Sequence, residues 1–168
     1  VTGVQTCALP IFSGILECPF PATSPLVLAR YARIRAGDSL AADFAASGAI
    51  HYAIAGAGTT GCAGETIEWE AGDVFVLPGG EPAVHRSAVD SVLWIATNEP
   101  QLAHERLRAP APGDAPTKPV HYRGGEIARQ IDLLYDIGRD QTTAGSALIF
   151  SAEEQIATKN ILPTLTAA

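Results

Sequence analysis

The chain has 168 residues and a formal net charge of −7, from 11 Lys and Arg against 18 Asp and Glu. This length suits one domain, or one domain with part of another, and a hydrophobic content of 47% is enough for a folded core. The acidic balance argues against nucleic acid or an anionic membrane as the main partner. No apolar run approaches the ~20 residues that a membrane-spanning helix needs.

The three cysteines give no sign of a metal site or of a disulfide framework. Cys7, Cys18 and Cys62 form no CxxC pair, and their spacing is not that of a disulfide-rich secreted domain. We therefore expect a reducing, cytoplasmic setting.

The beginning of the chain has an unusual sequence. Residues 1–11 read VTGVQTCALPI, which resembles the translated read-through of a sequencing adapter. The segment lacks the basic and continuous apolar regions of a signal peptide. We expect residues 1–11 to be non-native, and the chain to be a fragment of a longer reading frame.

Short strands separated by glycine-rich turns are predicted up to about residue 97. No crossover helix separates them, which argues against a parallel α/β sheet. Residues 59–64 (TTGCAG) are predicted to be a turn-rich connection. The strand candidates lie at residues 26–34, 49–55, 65–69, 74–77 and 91–97. This pattern predicts an all-β sandwich or barrel.

The sequence changes character after residue 98. Residues 108–119 (RAPAPGDAPTKP) have the composition of a linker or surface arm. Residues 126–137 carry apolar side chains at i, i+4 and i+7, which predicts an amphipathic helix with Gly138 just after its end. Such a helix most simply packs against the barrel. Strands are predicted again at residues 146–150 and 161–162.

Two glycine frames resemble the sequence motifs of the cupin superfamily, G(X)5HXH(X)3-4E(X)6G and G(X)5PXG(X)2H(X)3N. Gly37 and Gly56 stand at the two ends of the first motif, and Gly72, Pro78 and Gly80 begin the second. Glycine at these positions permits the turns at the corners of a barrel. The resemblance implies a cupin double-stranded β-helix, which is a jelly-roll barrel.

A more specific resemblance is to bicupins related to gentisate 1,2-dioxygenase and 1-hydroxy-2-naphthoate dioxygenase. It is carried by the stretches HYAIAGAG, EWEAGDVFVLPGG, VLWIATNEPQL and KNILPTLT. It implies a cupin barrel over residues 12–100, then an extended arm, one linker helix and the start of a truncated second cupin over residues 101–168. It also implies that this chain is an N-terminal half, whose partner is a missing second barrel with Fe(II). The same resemblance implies a homo-oligomeric assembly and a small aromatic acid as substrate or ligand.

The residues that would hold a metal in such a cupin are replaced here. The resemblance puts Asp43 and Ala45 at the two histidine positions of the first motif. Ala49 stands at the glutamate position, and Ala83 at the histidine position of the second motif. Alanine cannot coordinate an ion, and one carboxylate leaves a divalent metal mostly bound to water. We expect this chain to have no catalytic, cofactor-binding or metal-binding residue.

Two histidines near these positions leave three interpretations open. His51 shares strand parity with Asp43, and His85 lies two residues beyond the second-motif position. One interpretation is a displaced site of two histidines and a carboxylate, formed by Asp43, His51 and His85. Another is a small-molecule pocket lined by His51, His85 and Trp94. The third is that both histidines only form hydrogen bonds inside the barrel or at its rim.

The resemblance favours one function and leaves an alternative. The favoured function is the metal-free N-terminal half of a dioxygenase-like bicupin, an oxidoreductase whose catalysis takes place in the missing C-terminal barrel. On its own, such a fragment is expected to be inactive. The alternative is a non-enzymatic cupin that binds a small molecule or has a regulatory role.

Overall fold

The computed structural model describes residues 5–8, 13–15, 17 and 19–138. The chain forms two compact units, Val1–Ile127 and Ala128–Ala168. The strands predicted at residues 146–150 and 161–162 lie outside the described residues. Neither helix in the described part of the chain is long and apolar enough to cross a membrane.

Ten strands and two helices make up the regular structure of the described residues. In chain order they are β1 (Gln5–Ala8), β2 (Leu28–Ile34), β3 (Ser39–Ala42), β4 (Gly48–Ala55), β5 (Ala57–Cys62), β6 (Glu65–Glu70), β7 (Val74–Pro78), β8 (Ala83–Arg86), β9 (Ser91–Thr97), α1 (Glu99–Glu105), β10 (Val120–Tyr122) and α2 (Gly124–Gly138).

The strands form two antiparallel sheets. A six-stranded sheet has the order β1-β2-β9-β4-β7-β10, and a four-stranded sheet has the order β3-β8-β5-β6. Neighbours in each sheet are mostly distant in sequence, as in Greek-key folds. The prediction of an all-β protein is confirmed. Strand β1 lies within residues 1–11, for which the sequence predicts a non-native origin, and it pairs with β2 at the sheet edge.

The hydrophobic core is built from the inward faces of both sheets. Burial alternates along β4 and β9, as expected for strands with one face toward a core. Small side chains are frequent among the core residues. The core consists of Ala32, Ile34, Ala49, Ala53, Cys62, Ile67, Trp69, Phe75, Leu77, Ala83, Leu93 and Ile95.

The segment predicted as a turn at residues 59–64 is mostly strand. β5 ends at Cys62 and pairs with both β6 and β8. The turn itself is only Ala63 and Gly64, both with positive φ (52° and 79°). Glycine is also needed inside β5, just before the segment predicted as a turn, since a Cβ at Gly58 would lie only 2.6 Å from the Trp69 ring. The small residue allows the strand to pass this ring.

The arm after α1 returns to the barrel and adds an edge strand. The backbone N–H of Gly113 donates to Glu81 Oε1 at 2.7 Å. A Cβ on Gly80 would lie 1.9 Å from the carbonyl oxygen of Pro110, so arm and barrel are in close contact there. β10 then pairs with β7. The arm therefore brings a covering strand to what would otherwise be an open edge.

A buried carboxylate holds the end of this returning segment. Asp73, 1% exposed, lies in the turn between β6 and β7. It accepts hydrogen bonds from the His121 ring at 2.7 Å and from the Gly124 backbone N–H at 2.7 Å. Helix α2 starts at Gly124, two residues before the predicted start, and Gly138 is its last residue rather than the one that follows.

Candidate functional site

Two histidines from opposite sheets meet inside the barrel. His51 lies on β4 of the six-stranded sheet, and His85 lies on β8 of the four-stranded sheet. Both side chains are fully buried, and their ring centroids are 5.1 Å apart. The alternation of β4 produces this position, since Ala49 and Ala53 on either side of His51 also face the core.

His51 packs as an aromatic ring rather than as a hydrogen-bonded polar group. It stacks on Phe75 with a centroid distance of 4.6 Å and an interplanar angle of 4°, because the β4–β7 register places the two residues opposite each other. Neither ring nitrogen has a hydrogen-bond partner. Burial, together with the nearby His85, lowers the pKa of His51 well below 6.5, although backbone groups of Ala49 and Phe75 act in the opposite direction. His51 is therefore neutral at pH 7.

His85 belongs to a short chain of buried hydrogen bonds. Trp69 Nε1–H donates to Thr60 Oγ1 at 2.9 Å, and the same oxygen lies 2.8 Å from His85 Nδ1. Because Trp can only donate, the Thr60 hydroxyl can give its own proton to Nδ1, which favours the His85 tautomer with the proton on Nε2. That Nε2 has no partner. Burial lowers the pKa of His85 to about 4.

The structure brings together only two of the four predicted site residues. Asp43 is exposed in the connection that follows β3, outside the histidine pair. Trp94 is half-buried on the outer face of β9, since its neighbours Leu93 and Ile95 point inward. This geometry contains neither the Asp43, His51 and His85 constellation nor a pocket lined by both histidines and Trp94.

Asp43 does not share the strand parity of His51 as predicted. β3 ends at Ala42 and β4 begins at Gly48, so the residues between them do not alternate as a strand does. Thr60 was not predicted as a site residue, because it lies in a segment whose composition indicated a turn. The β-branched pair Thr59-Thr60 was the available signal for a strand.

The residues at the cupin ligand positions do not fit a metal ion. Ala49 and Ala83 are buried (6% and 4% exposed) and present methyl groups to the interior, while Asp43 and Ala45 are exposed. Ala49, Ala83 and His51 line a cavity of only about 10 Å³, roughly the space of a single water molecule. Among the described residues, no three His, Cys, Asp or Glu side chains are grouped as a metal site.

Among the described residues, a larger concavity is an open groove of about 770 Å³ on the four-stranded sheet. Its polar lining includes two arginines, Arg86 and Arg123, and three acidic residues, Asp38, Glu68 and Glu70. The indole of Trp69 lies beneath it and is only 2% exposed. The groove has the size of a small-molecule site and a mixed charge.

Solved structures similar to this barrel include salicylate 1,2-dioxygenases. A salicylate 1,2-dioxygenase from Pseudoaminobacter salicylatoxidans in adduct with gentisate aligns with a TM-score of 0.54 and 20% identity, over 64% of this chain and 28% of that chain. Another salicylate 1,2-dioxygenase structure, from Pseudaminobacter salicylatoxidans, aligns with a TM-score of 0.53 and 18% identity, over 74% and 31%. The fold is that of a cupin.

At these identities the likeness concerns the cupin fold alone. The chain spans less than a third of the length of the two dioxygenases (28% and 31%). A cupin 2 conserved barrel domain protein from Leptotrichia buccalis also aligns, with a TM-score of 0.46 and 10% identity over 59% of this chain and 42% of that one. No protein-family model matches the chain, and no curated protein does.

Proposed function

We propose that this chain is the metal-free N-terminal cupin half of a two-barrel protein similar to iron-dependent aromatic ring-cleaving dioxygenases. Catalysis and Fe(II) belong to the other barrel, and this barrel contributes structure, oligomer contacts or control of substrate access. The observation that carries the proposal is the pair of buried methyl groups, Ala49 and Ala83, at positions where the family resemblance calls for a carboxylate and an imidazole.

The filled interior supports a non-catalytic role for this barrel. The stacked rings of His51 and Phe75, with Trp69 at 6.2 Å from Phe75, occupy the volume between the sheets. The cavity of about 10 Å³ beside them is far below the ~300 Å³ of small-ligand sites. An aromatic acid therefore has no room beside the histidine pair.

The neighbouring dioxygenases support the wider part of the proposal. Because the aligned region is 28% to 31% of their chains, a second barrel fits in the remaining length of a protein of that kind. The aromatic substrate class and the iron come from this likeness and from the motif resemblance. A cytoplasmic location is part of the proposal. The free, buried Cys62 agrees with the reducing setting that this location provides.

Iron analysis of the 168-residue chain tests the metal-free assignment. The purified chain is incubated anaerobically with excess Fe(II), desalted, and analysed by mass spectrometry for bound iron. We expect less than about a tenth of an iron per chain, since buried methyl groups supply no ligand. Stoichiometric iron would overturn the assignment, and its loss in a His51→Leu or His85→Leu variant would identify the ligands.

The coding sequence downstream of this chain tests the second-barrel assignment. We expect an HxH motif followed by a glutamate there, the ligand pattern of a cupin iron site. A protein that extends beyond this chain and contains that motif should consume O2 with gentisate or salicylate. If the downstream sequence lacks the motif, the dioxygenase assignment is wrong.

The groove on the four-stranded sheet favours a second candidate, a non-enzymatic small-molecule-binding or regulatory cupin. The guanidinium groups of Arg86 and Arg123 line this groove and are suited to donate hydrogen bonds to a carboxylate. Under this alternative, salicylate or gentisate raises the thermal unfolding midpoint of the chain. An Arg86→Ala substitution removes that increase, whereas Arg35→Ala, at an exposed arginine outside the groove, does not. No shift with either acid rejects this candidate.

A further inference from the structure

The outer face of the six-stranded sheet carries a row of aromatic side chains, two of them exposed and one half-buried. Tyr31 on β2, Trp94 on β9 and Tyr52 on β4 lie side by side, because the register pairs Trp94 with both tyrosines. Tyr31 is 44% exposed and Tyr52 is 41% exposed. Solvent-facing positions of an antiparallel sheet are usually polar, so this row is unusual for a free surface.

A second row of apolar side chains lies beside the aromatic one. Ile50 on β4 pairs with Ala96 on β9 and with Val76 on β7. Ile50 is 47% exposed. Ile54 is 42% exposed and lies on the other side of the aromatic row along β4, where the β4–β9 register shifts. The aromatic row and the apolar side chains on either side of it form one continuous patch, which we call the apolar face.

The central strands of the apolar face carry no charge. Their outward residues are Gly48, Ile50, Tyr52 and Ile54 on β4, Val74 and Val76 on β7, and Val92, Trp94 and Ala96 on β9. The chain as a whole has 18 acidic residues and a net charge of −7, which makes copies repel one another at most orientations. Two such faces can meet without like-charge contacts, whereas a charged partner would find no complementary group.

The size of the apolar face suits the centre of a dimer interface. Four strands about 4.8 Å apart, each contributing about six residues at ~3.4 Å, give an area of roughly 400 Å². A standard interface covers about 800 Å² per partner and has an apolar centre with a polar rim. The exposed Arg33–Asp90 ion pair, on β2 and beside β9, lies where such a rim would be.

We propose that the apolar face is the contact between two copies of this chain, packed sheet against sheet about a twofold axis. A twofold places the same patch on both sides, so an uncharged apolar face is self-complementary. The proposal identifies the surface that makes the oligomer contacts, and it rests on that part of the proposed function. It is tested by mass and fluorescence without any metal, so its failure is distinct from a failure of the metal-free assignment.

The oligomeric state of the chain is measured by sedimentation equilibrium between 1 and 100 µM. We expect a species of twice the 17.5 kDa chain mass at the upper concentrations. Tyr52→Glu or Ile50→Glu, each of which would bury a charge in the contact, should weaken the dimer at least 100-fold and give monomers. Leu107→Glu is the control, since Leu107 is 57% exposed, follows α1 and lines a separate cavity with Phe20 and Leu102.

Two further measurements test the proposal even if a variant folds poorly. Circular dichroism and the thermal midpoint report whether each variant is folded. In the unsubstituted chain, acrylamide quenching of tryptophan fluorescence should fall as the mass doubles, since Trp94 becomes covered while Trp69 is already buried. A monomer across the whole range, as expected if the face receives a second barrel instead, overturns the proposal. A dimer with unchanged quenching, or one that survives both glutamate variants, also overturns it.

Discussion

The Asp73 carboxylate combines burial with an unusually complete set of hydrogen bonds. Burial alone raises its pKa, but bonds from the Gly124 N–H, the His121 ring and the Glu70 N–H, with the charge of His121, outweigh this effect and lower the pKa. Arg123 adds a longer contact at 3.7 Å. One side chain therefore ties the β6–β7 turn to the returning segment of the chain.

We predict that Asp73→Asn lowers the free energy of unfolding by about 2–3 kcal/mol. An amide can accept with only one oxygen, so it leaves either the His121 ring or a backbone N–H without its acceptor, and a buried unsatisfied group costs ~1–3 kcal/mol. Urea denaturation at pH 7 measures the change. The matched control is Asp114→Asn at an exposed position, which should stay within the scatter of the unsubstituted chain.

The same residue predicts a pH effect with a definite sign. Because the folded pKa of Asp73 is lowered, its contribution to stability is present above the unfolded pKa near 3.9 and is lost as the pH falls through the folded value. The unsubstituted chain should thus lose more stability than Asp73→Asn below pH 4. Parallel curves for the two proteins at acid pH would contradict this account.

At the level of single residues, the candidate site could be predicted only in part. The inward positions of His51 and His85 are consistent with strand alternation, which is a local property of the sequence. Their meeting depends on how two sheets face each other, which no local pattern contains. Asp43 was predicted to point inward, but it lies in a connection, and a connection has no fixed parity. Trp94 was predicted to line an interior pocket because it is apolar, but the outer face of this sheet is also apolar.

At the level of elements, β5 shows why composition alone misleads. Its glycines have the composition of a turn, yet both lie within the strand, and only Gly58 is needed where the strand passes the Trp69 ring. A Cβ at Gly58 would lie 2.3 Å from the Arg86 carbonyl oxygen, whereas a Cβ at Gly61 would have no neighbour closer than 4.0 Å. The two glycines of one strand are therefore unequal, and only the packed structure reveals the difference.

We predict that Gly58→Ala destabilises the protein by about 2–3 kcal/mol, while Gly61→Ala changes its stability by less than about 1 kcal/mol. The first substitution forces backbone and the Trp69 ring apart, and the second adds a methyl group in open space. Thermal unfolding followed by near-ultraviolet circular dichroism reports both the midpoint and the environment of Trp69. Equal midpoints for the two variants would mean that β5 is not held against β6 and β8 as described.

For the whole molecule, the sequence was most informative where it constrained turns. The two glycine frames and the short strands between them led to an all-β cupin, and the sheets confirm the fold class. The four-residue strands β3 and β8 and the three-residue β10 escaped prediction, since so few residues carry no readable period. Their positions follow from pairing with distant strands, which is a property of the complete fold.

The buried histidine pair makes the stability of the whole barrel sensitive to acid. Both imidazoles are neutral in the folded state, with the pKa of His85 lowered to about 4 and that of His51 lowered well below 6.5. In the unfolded chain both titrate near 6.5, so the unfolded state binds more protons below that pH and stability falls as the pH falls toward the folded values. Above pH 7 the effect vanishes.

We predict that the free energy of unfolding falls by about 2 kcal/mol for His85 alone between pH 7 and pH 5, with a further loss from His51. His51→Leu keeps the ring cavity filled and removes one titrating group that has no hydrogen bond to lose, so its pH dependence should be clearly shallower. His104→Gln, at an exposed histidine, should follow the unsubstituted curve. Urea titrations at half-unit pH steps measure all three proteins. A free energy of unfolding that stays constant from pH 7 to pH 5 would mean that the imidazoles are not buried in the barrel. Only contact with solvent or a charged partner would let them bind protons in the folded state.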